Sequence, residues 1–238
     1  MYRLLALLPL IIGSAAAGPI TLTGITFEST GNLFKHGSIY IESPSASNGF
    51  AAQGVGKVSE IVDDVGTILW SSGDNGVDLL YEFNSFERTS NTLIGSTNVY
   101  GDVGGLVNMY VSPTGLFTPT GNYVVDVDVM NNGSLFLSME GVLNSNGYSV
   151  EGIETPTANS GNALLAVTGG EGLSYFDTNT LEQGADMYFN FSADVLATAG
   201  YDYSGSGDLS AYSVPVPTTA VLMSMGLLLL GTTIKLKT

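Results

Sequence analysis

The chain has 238 residues, 22 acidic and 6 basic, with a formal net charge of −16, no cysteine and one histidine, His36. Without cysteine or a second histidine there are no disulfides, thiolate nucleophiles, Cys-ligated zinc sites or paired-histidine metal motifs, and a Ser-His-Asp triad would have to be built on His36. The acidic balance repels phosphate backbones and anionic membrane surfaces, so no nucleic-acid partner is expected.

Residues 1–17 read as an export signal. Arg3 supplies the positive start, residues 4–12 are apolar, and Gly13-Ser14-Ala15-Ala16-Ala17 is a run of small residues. Ala15-x-Ala17 fits the cleavage rule and places the cut before Gly18. Residues 18–212 then form the extracytoplasmic body. Its basic residues are Lys35, Lys57 and Arg88; Arg3, Lys235 and Lys237 belong to the terminal segments.

The body is rich in Gly (31 in the chain), with Asn, Ser and Thr between short apolar runs and no sustained helical stripe. Residues 20–28 and 32–42 alternate as strands, and 43–54 read as a loop. Residues 55–62 and 67–71 are strands around an Asp63-Asp64-Val65-Gly66 turn, and Asp74-Asn75-Gly76 is a tight turn of the positive-φ kind. In 77–83, Val77, Leu79, Tyr81 and Phe83 share one face, with Asp78 and Glu82 on a solvent face. Residues 105–112 are a strand. Residues 123–130 and 135–142 read as a hairpin, with Val125, Val127 and Val129 on one face and Asp126 and Asp128 on the other. Segments 148–154, 163–168, 173–176, 186–196 and 201–212 are further strand candidates. Short strands broken by Gly and Asn turns predict an all-β body, an antiparallel β-sandwich or jelly-roll-like domain.

Candidate chemistry is sparse. Asp126 and Asp128 as alternate strand residues, and Asp74 with Asp78 around a turn, are the candidate Ca²⁺ ligands, although ordinary solvated carboxylates account for both pairs. The EF-hand pattern fails, because Met130 and Met139 occupy positions that need oxygen. Trp70, Tyr81, Tyr123 and Tyr188 would stack on sugars if exposed and are otherwise core. No nucleophile elbow or phosphate loop occurs, so no catalytic residue is assigned; a two-carboxylate glycosidase remains open on the carboxylate count alone.

Residues 213–238 form the tail: Val214-Pro215-Val216-Pro217, an uncharged run from 218 to 234, then Lys235 and Lys237. As a helix, 17 residues span roughly 25 Å, enough for a single membrane crossing with local thinning or lysine snorkelling. The prolines break a helix and belong outside the bilayer, and the two lysines place the C-terminus inside.

This tail resembles the PEP-CTERM sorting signal of Gram-negative bacteria, in its Val-Pro-Val-Pro variant. It departs from the common pattern at Val216, where Glu is usual, and in having two lysines rather than an arginine cluster. The resemblance implies an exosortase-like processing enzyme as partner and export to the surface or matrix. It also implies a structural or adhesive role linked to extracellular polysaccharide, biofilm or flocculation. A carbohydrate- or calcium-binding module and a secreted polysaccharide-active enzyme are the alternatives.

Overall fold

The computed structural model describes residues 18–29, 31–43, 51–196 and 200–213. An N-terminal hairpin, β1 (Ile20–Leu22) and β2 (Ile25–Phe27), precedes the long strands β3 (Gly31–Glu42) and β4 (Ala51–Asp63). A short β5 (Ile68–Ser71) follows, then β6 (Val77–Ile94) and β7 (Thr97–Pro113). Helix α1 (Tyr123–Met130) leads to β8 (Ser134–Gly141), β9 (Val150–Glu154) and β10 (Ala158–Gly169). A single helical turn, α2 (Leu173–Phe176), separates β10 from β11 (Met187–Val195) and β12 (Tyr203–Tyr212).

The body is all-β, and its sheet closes on itself. Each of β3, β4, β6, β7, β8, β10, β11 and β12 pairs antiparallel with the next, and β12 pairs back onto β3, with Leu209 opposite Phe34. The result is an up-and-down barrel of eight strands, not a sandwich or jelly roll. β8 and β9 share one position in the ring: β7 pairs with β8 over 106–111 and with β9 over 98–102.

Glycine makes the bore. Gly54 lies opposite Phe83 and Gly56 opposite Tyr81 across β4 and β6, and Gly152 lies opposite Tyr100 across β9 and β7. A Cβ at Gly56 would fall 2.2 Å from the Tyr81 hydroxyl, and one at Gly152 2.3 Å from Tyr100 Cζ. Each ring therefore lies flat over a bare neighbouring backbone, and the large-against-small pairing lets a small barrel hold many aromatics.

One end of the barrel is plugged. Phe27 packs against Tyr175 at 5.4 Å and Phe176 at 4.9 Å between ring centroids, and Phe176 also meets Phe34 and Phe136. Ile25, Ile61 and Trp70 are fully buried. Each such side chain contributes about 1.5–3 kcal/mol of burial, so the hairpin and α2 are held firmly in place.

The expectations for individual segments divide by location. The predicted strands at 32–42, 55–62 and 105–112 lie in observed strands, 186–196 overruns β11 by one residue at each end, and Asn75 and Gly76 take the expected positive φ. Residues 20–28 form two short strands, because Thr23 and Gly24, both at positive φ, turn the chain. Residues 173–176 are helical. The predicted hairpin arm at 123–130 is α1, whose start is capped by the Asn122 side chain accepting from Val125 N–H. The anchoring helix expected at 218–234 lies outside the described residues, and no helix among those described is long and apolar enough to cross a membrane.

Gly56→Ala tests the bore directly. Overpacking of this kind costs about 1–3 kcal/mol, and urea unfolding should show that loss, while Gly18→Ala, whose Cβ meets nothing within 4 Å, should be neutral. Equal stability of both variants would contradict the packing described.

Candidate functional site

Inside the barrel, beyond the plug, is an apolar cavity of about 60 Å³, partly open to solvent. Phe83, Phe86, Met109, Met139, Phe189 and Leu209 are among its walls. Eight strands close around a space that side chains just fill or that holds one small ligand. A water's share of liquid volume is about 30 Å³, and an apolar cavity of about 150 Å³ takes up benzene. The space therefore exceeds a single water and is smaller than a benzene-sized cavity.

His36 faces this cavity, and local sequence explains why. Asn32, Phe34 and His36 alternate inward along β3, and a bulge at 36–38 shifts the register so that Ile39 and Ile41 continue the inner face. The imidazole packs edge-on to Tyr81 at 4.4 Å and against Phe189 at 5.0 Å. Neither Nδ1 nor Nε2 has a hydrogen-bond partner. Burial pushes its pKa from 6.5 down to about 3, so the ring is neutral at pH 7. A buried polar group with both nitrogens unpaired is uncommon in a finished core.

A polar cluster lies at one end of the cavity. Arg88 donates from Nε to Asp102 at 3.0 Å and from Nη1 to Glu154 at 3.1 Å, and its guanidinium lies 3.7 Å above the Tyr100 ring. Tyr203 donates to Glu154 at 2.6 Å, and Tyr100 to Asn159 at 2.7 Å. Burial holds the Asp102 carboxyl above its usual range; Arg88 opposes this, and Glu154 adds to it. Two carboxylates on one guanidinium leave the cluster with a net negative charge.

The acidic candidates named from sequence do other work. Asp78 is buried on the outer wall, paired with Lys57 at 2.9 Å and accepting from Ser72 Oγ and Gly115 N–H. Those partners hold its carboxyl below the usual range against the opposing effect of burial. Asp74 accepts from Ser71 N–H at 2.8 Å. Asp126 is buried, not solvated, and accepts from Thr120 N–H, Thr120 Oγ1 and Tyr201 OH. Asp128 is exposed on the same helix; two residues apart on a helix point to nearly opposite sides, so this pair is not a pair in space.

Glu82, read as solvent-facing, is buried and accepts from Tyr123, Asn108 and Tyr110. Asp78, Glu82 and Asp126 together staple the 114–133 segment to the outside of the barrel. Among the described residues no group of three potential ligands stands together as a metal site. Trp70 and Tyr81 are buried, which removes them as sugar platforms. Tyr123 is partly covered and donates to Glu82, and Tyr188 is partly covered. Ala15, Ala17, Val214, Pro215, Val216, Pro217, Lys235 and Lys237 lie outside the described residues.

Compared with known protein families, curated proteins and solved structures, the chain matches none.

The buried imidazole makes stability depend on pH. Because its folded pKa is depressed, its contribution is complete above pH 6.5 and is lost as pH falls toward 3. Urea unfolding from pH 6.5 to 4 should show a slope that drops by up to about 1.4 kcal/mol per pH unit in His36→Leu. Parallel curves for wild type and variant would show that His36 is not buried neutral.

Proposed function

We propose that this chain is an exported, surface- or matrix-associated protein whose barrel is a container for a small, mostly apolar molecule. The observation that carries the container reading is the partly open apolar cavity with an unpaired imidazole on its wall. Ligand sites are typically apolar hollows with a few polar groups that fix orientation, and this interior has that composition.

Delivery follows from the two ends. The signal at 1–17 and the PEP-CTERM-like tail at 213–238 would send the barrel outward and hold it at the membrane until an exosortase-like enzyme processes it. A role in retaining or modifying extracellular polysaccharide, biofilm or floc would then come through the molecule it carries or the matrix it joins. The carbohydrate-binding alternative is weakened by the burial of Trp70 and Tyr81. The enzymatic alternative has less support at the cavity, where Asp102 and Glu154 are engaged by Arg88.

Two measurements test the two halves. Methyl NMR under xenon pressure should shift Met109 and Met139, which line the cavity, and leave Met130, which packs in the outer cluster, in place. Unmoved Met109 and Met139 signals would end the container reading. Mass spectrometry of the mature protein should find Gly18 at the N-terminus, and loss of the tail only in cells with an exosortase-like enzyme; a chain that keeps residues 1–17 would end the export reading.

A further inference from the structure

We propose, independently of the container reading, that the hairpin arm formed by the end of β6 and the start of β7 is a self-association surface. Its occupant is the same arm of a second copy of this chain, paired edge to edge and antiparallel.

The arm follows from unequal strand lengths. β4 ends first: its last pair with β6 is Ala51 with Glu87, whereas β6 runs on to Ile94 and stays paired with β7 through Thr97. β7 is backed in turn by β9 over 98–102. Residues 88–94 therefore pair on one side only, and among the described residues no strand takes the other. At about 3.3 Å per residue, that is roughly 20 Å of open edge. A register shift between Arg88 and Ser90 bends the strand at the base of the arm. Beyond it, Thr89-Ser90-Asn91-Thr92-Leu93-Ile94 contains no lysine, proline or acid, the residues that ordinarily keep exposed edges from pairing.

The arm also has an apolar flank. Tyr100 lines the cavity, so Val99 beside it points outward, together with its partners Thr92 on β6 and Ile153 on β9. Ile94 lies two residues beyond Thr92 and shares that face. Ile94, Val99 and Ile153 are all exposed, as is Leu93 on the opposite face.

Charge selects the occupant. The chain carries a formal charge of −16, so two copies repel over most approaches. From Thr89 to Gly101 the arm has no charged residue, and here that repulsion is least. An acidic partner is repelled by the body, and a basic one finds no carboxylate on the arm. This edge accepts an uncharged strand free of proline, and the arm is itself such a strand. Overlap of residues 88–94 with their copies about a two-fold axis sets Asn91 beside Asn91 and brings both outward apolar patches onto one face of a continuous sheet. An edge pair of this length is a small interface, under about 1,200 Å². The contact is therefore transient in dilute solution and populated where copies are crowded.

The absence of cysteine allows a clean trap. Thr89→Cys, Ser90→Cys, Asn91→Cys, Thr92→Cys and Leu93→Cys are made one at a time in the purified full-length chain. Val65→Cys, in the turn between β4 and β5 and 83% exposed, is the reference. Disulfide-linked dimer is followed over time with diamide as oxidant. The rate should peak at Asn91→Cys, at least about tenfold above Val65→Cys, because pairing raises the local thiol concentration. Thr92→Lys, which sets like charges beside the axis, should bring Asn91→Cys down to the reference rate, and Thr92→Gln should not. Dispersed Met109 and Met139 methyl signals show that the barrel remains folded in each variant.

If no position from 89 to 93 links faster than Val65→Cys, the arm does not meet a second copy and the inference falls. A flat profile across 89–93 overturns the antiparallel pairing, because only residues near a two-fold axis meet their own copies. If Thr92→Lys leaves Asn91→Cys linking at its full rate, the trapped contact is not an edge pair and the assignment is likewise overturned.

Discussion

The pairing of β12 with β3 is the contact on which everything else depends. It joins residues 203–212 to residues 31–41, almost the full length of the body apart, and turns an open meander into a ring. Were it absent, β3 and β12 would each present an unpaired edge, a template for pairing with other chains. The inner face would also lose its enclosure, because the cavity wall includes Ile39 and Ile41 from β3 and Leu209 from β12. Closure has a steric condition of its own, met by glycines opposite aromatic rings, since side chains on both strands would overfill the bore.

Around that ring the buried charges build the wall. The buried acids Asp78, Glu82 and Asp126 accept hydrogen bonds from backbone, tyrosine, asparagine and lysine groups, and they fix the 114–133 segment over strands β4 and β6. Arg88 draws Asp102 and Glu154 together where β6, β7 and β9 meet. Trp70 Nε1, Ser112 Oγ and both nitrogens of His36 are buried without a hydrogen-bond partner, and of these residues His36 is the one that lines the apolar cavity.

Much of the strand pattern could be read from the sequence because inward and outward residues alternate along β3 and in the first half of β6. The second half of β6 could not: residues 87–94 are mostly exposed and polar, so no apolar period marks them, yet they pair with β7 throughout. Helix α1 misled for a different reason. Val-Val-Asp-Val-Asp-Val has the period and the β-branched composition of a strand. Tertiary context overrides that preference, through the Asn122 cap and the buried Asp126 anchored to Thr120 and Tyr201. Barrel and sandwich share the same local alternation; the choice between them lies in long-range pairing, which no single segment encodes. His36 was visible as the lone histidine, and its place after Phe34 in an alternating strand was the available hint that it pointed inward.

The central claim is that the closed barrel encloses an apolar space that a guest can enter. Xenon-pressurised crystals test it with the least chemistry, since xenon seeks dry cavities of this kind and needs no specific contact. The account predicts xenon density inside the ring among Met109, Phe189 and Leu209, near the His36 imidazole. An interior with no xenon, filled by repacked side chains or by an ordered file of water, would contradict it.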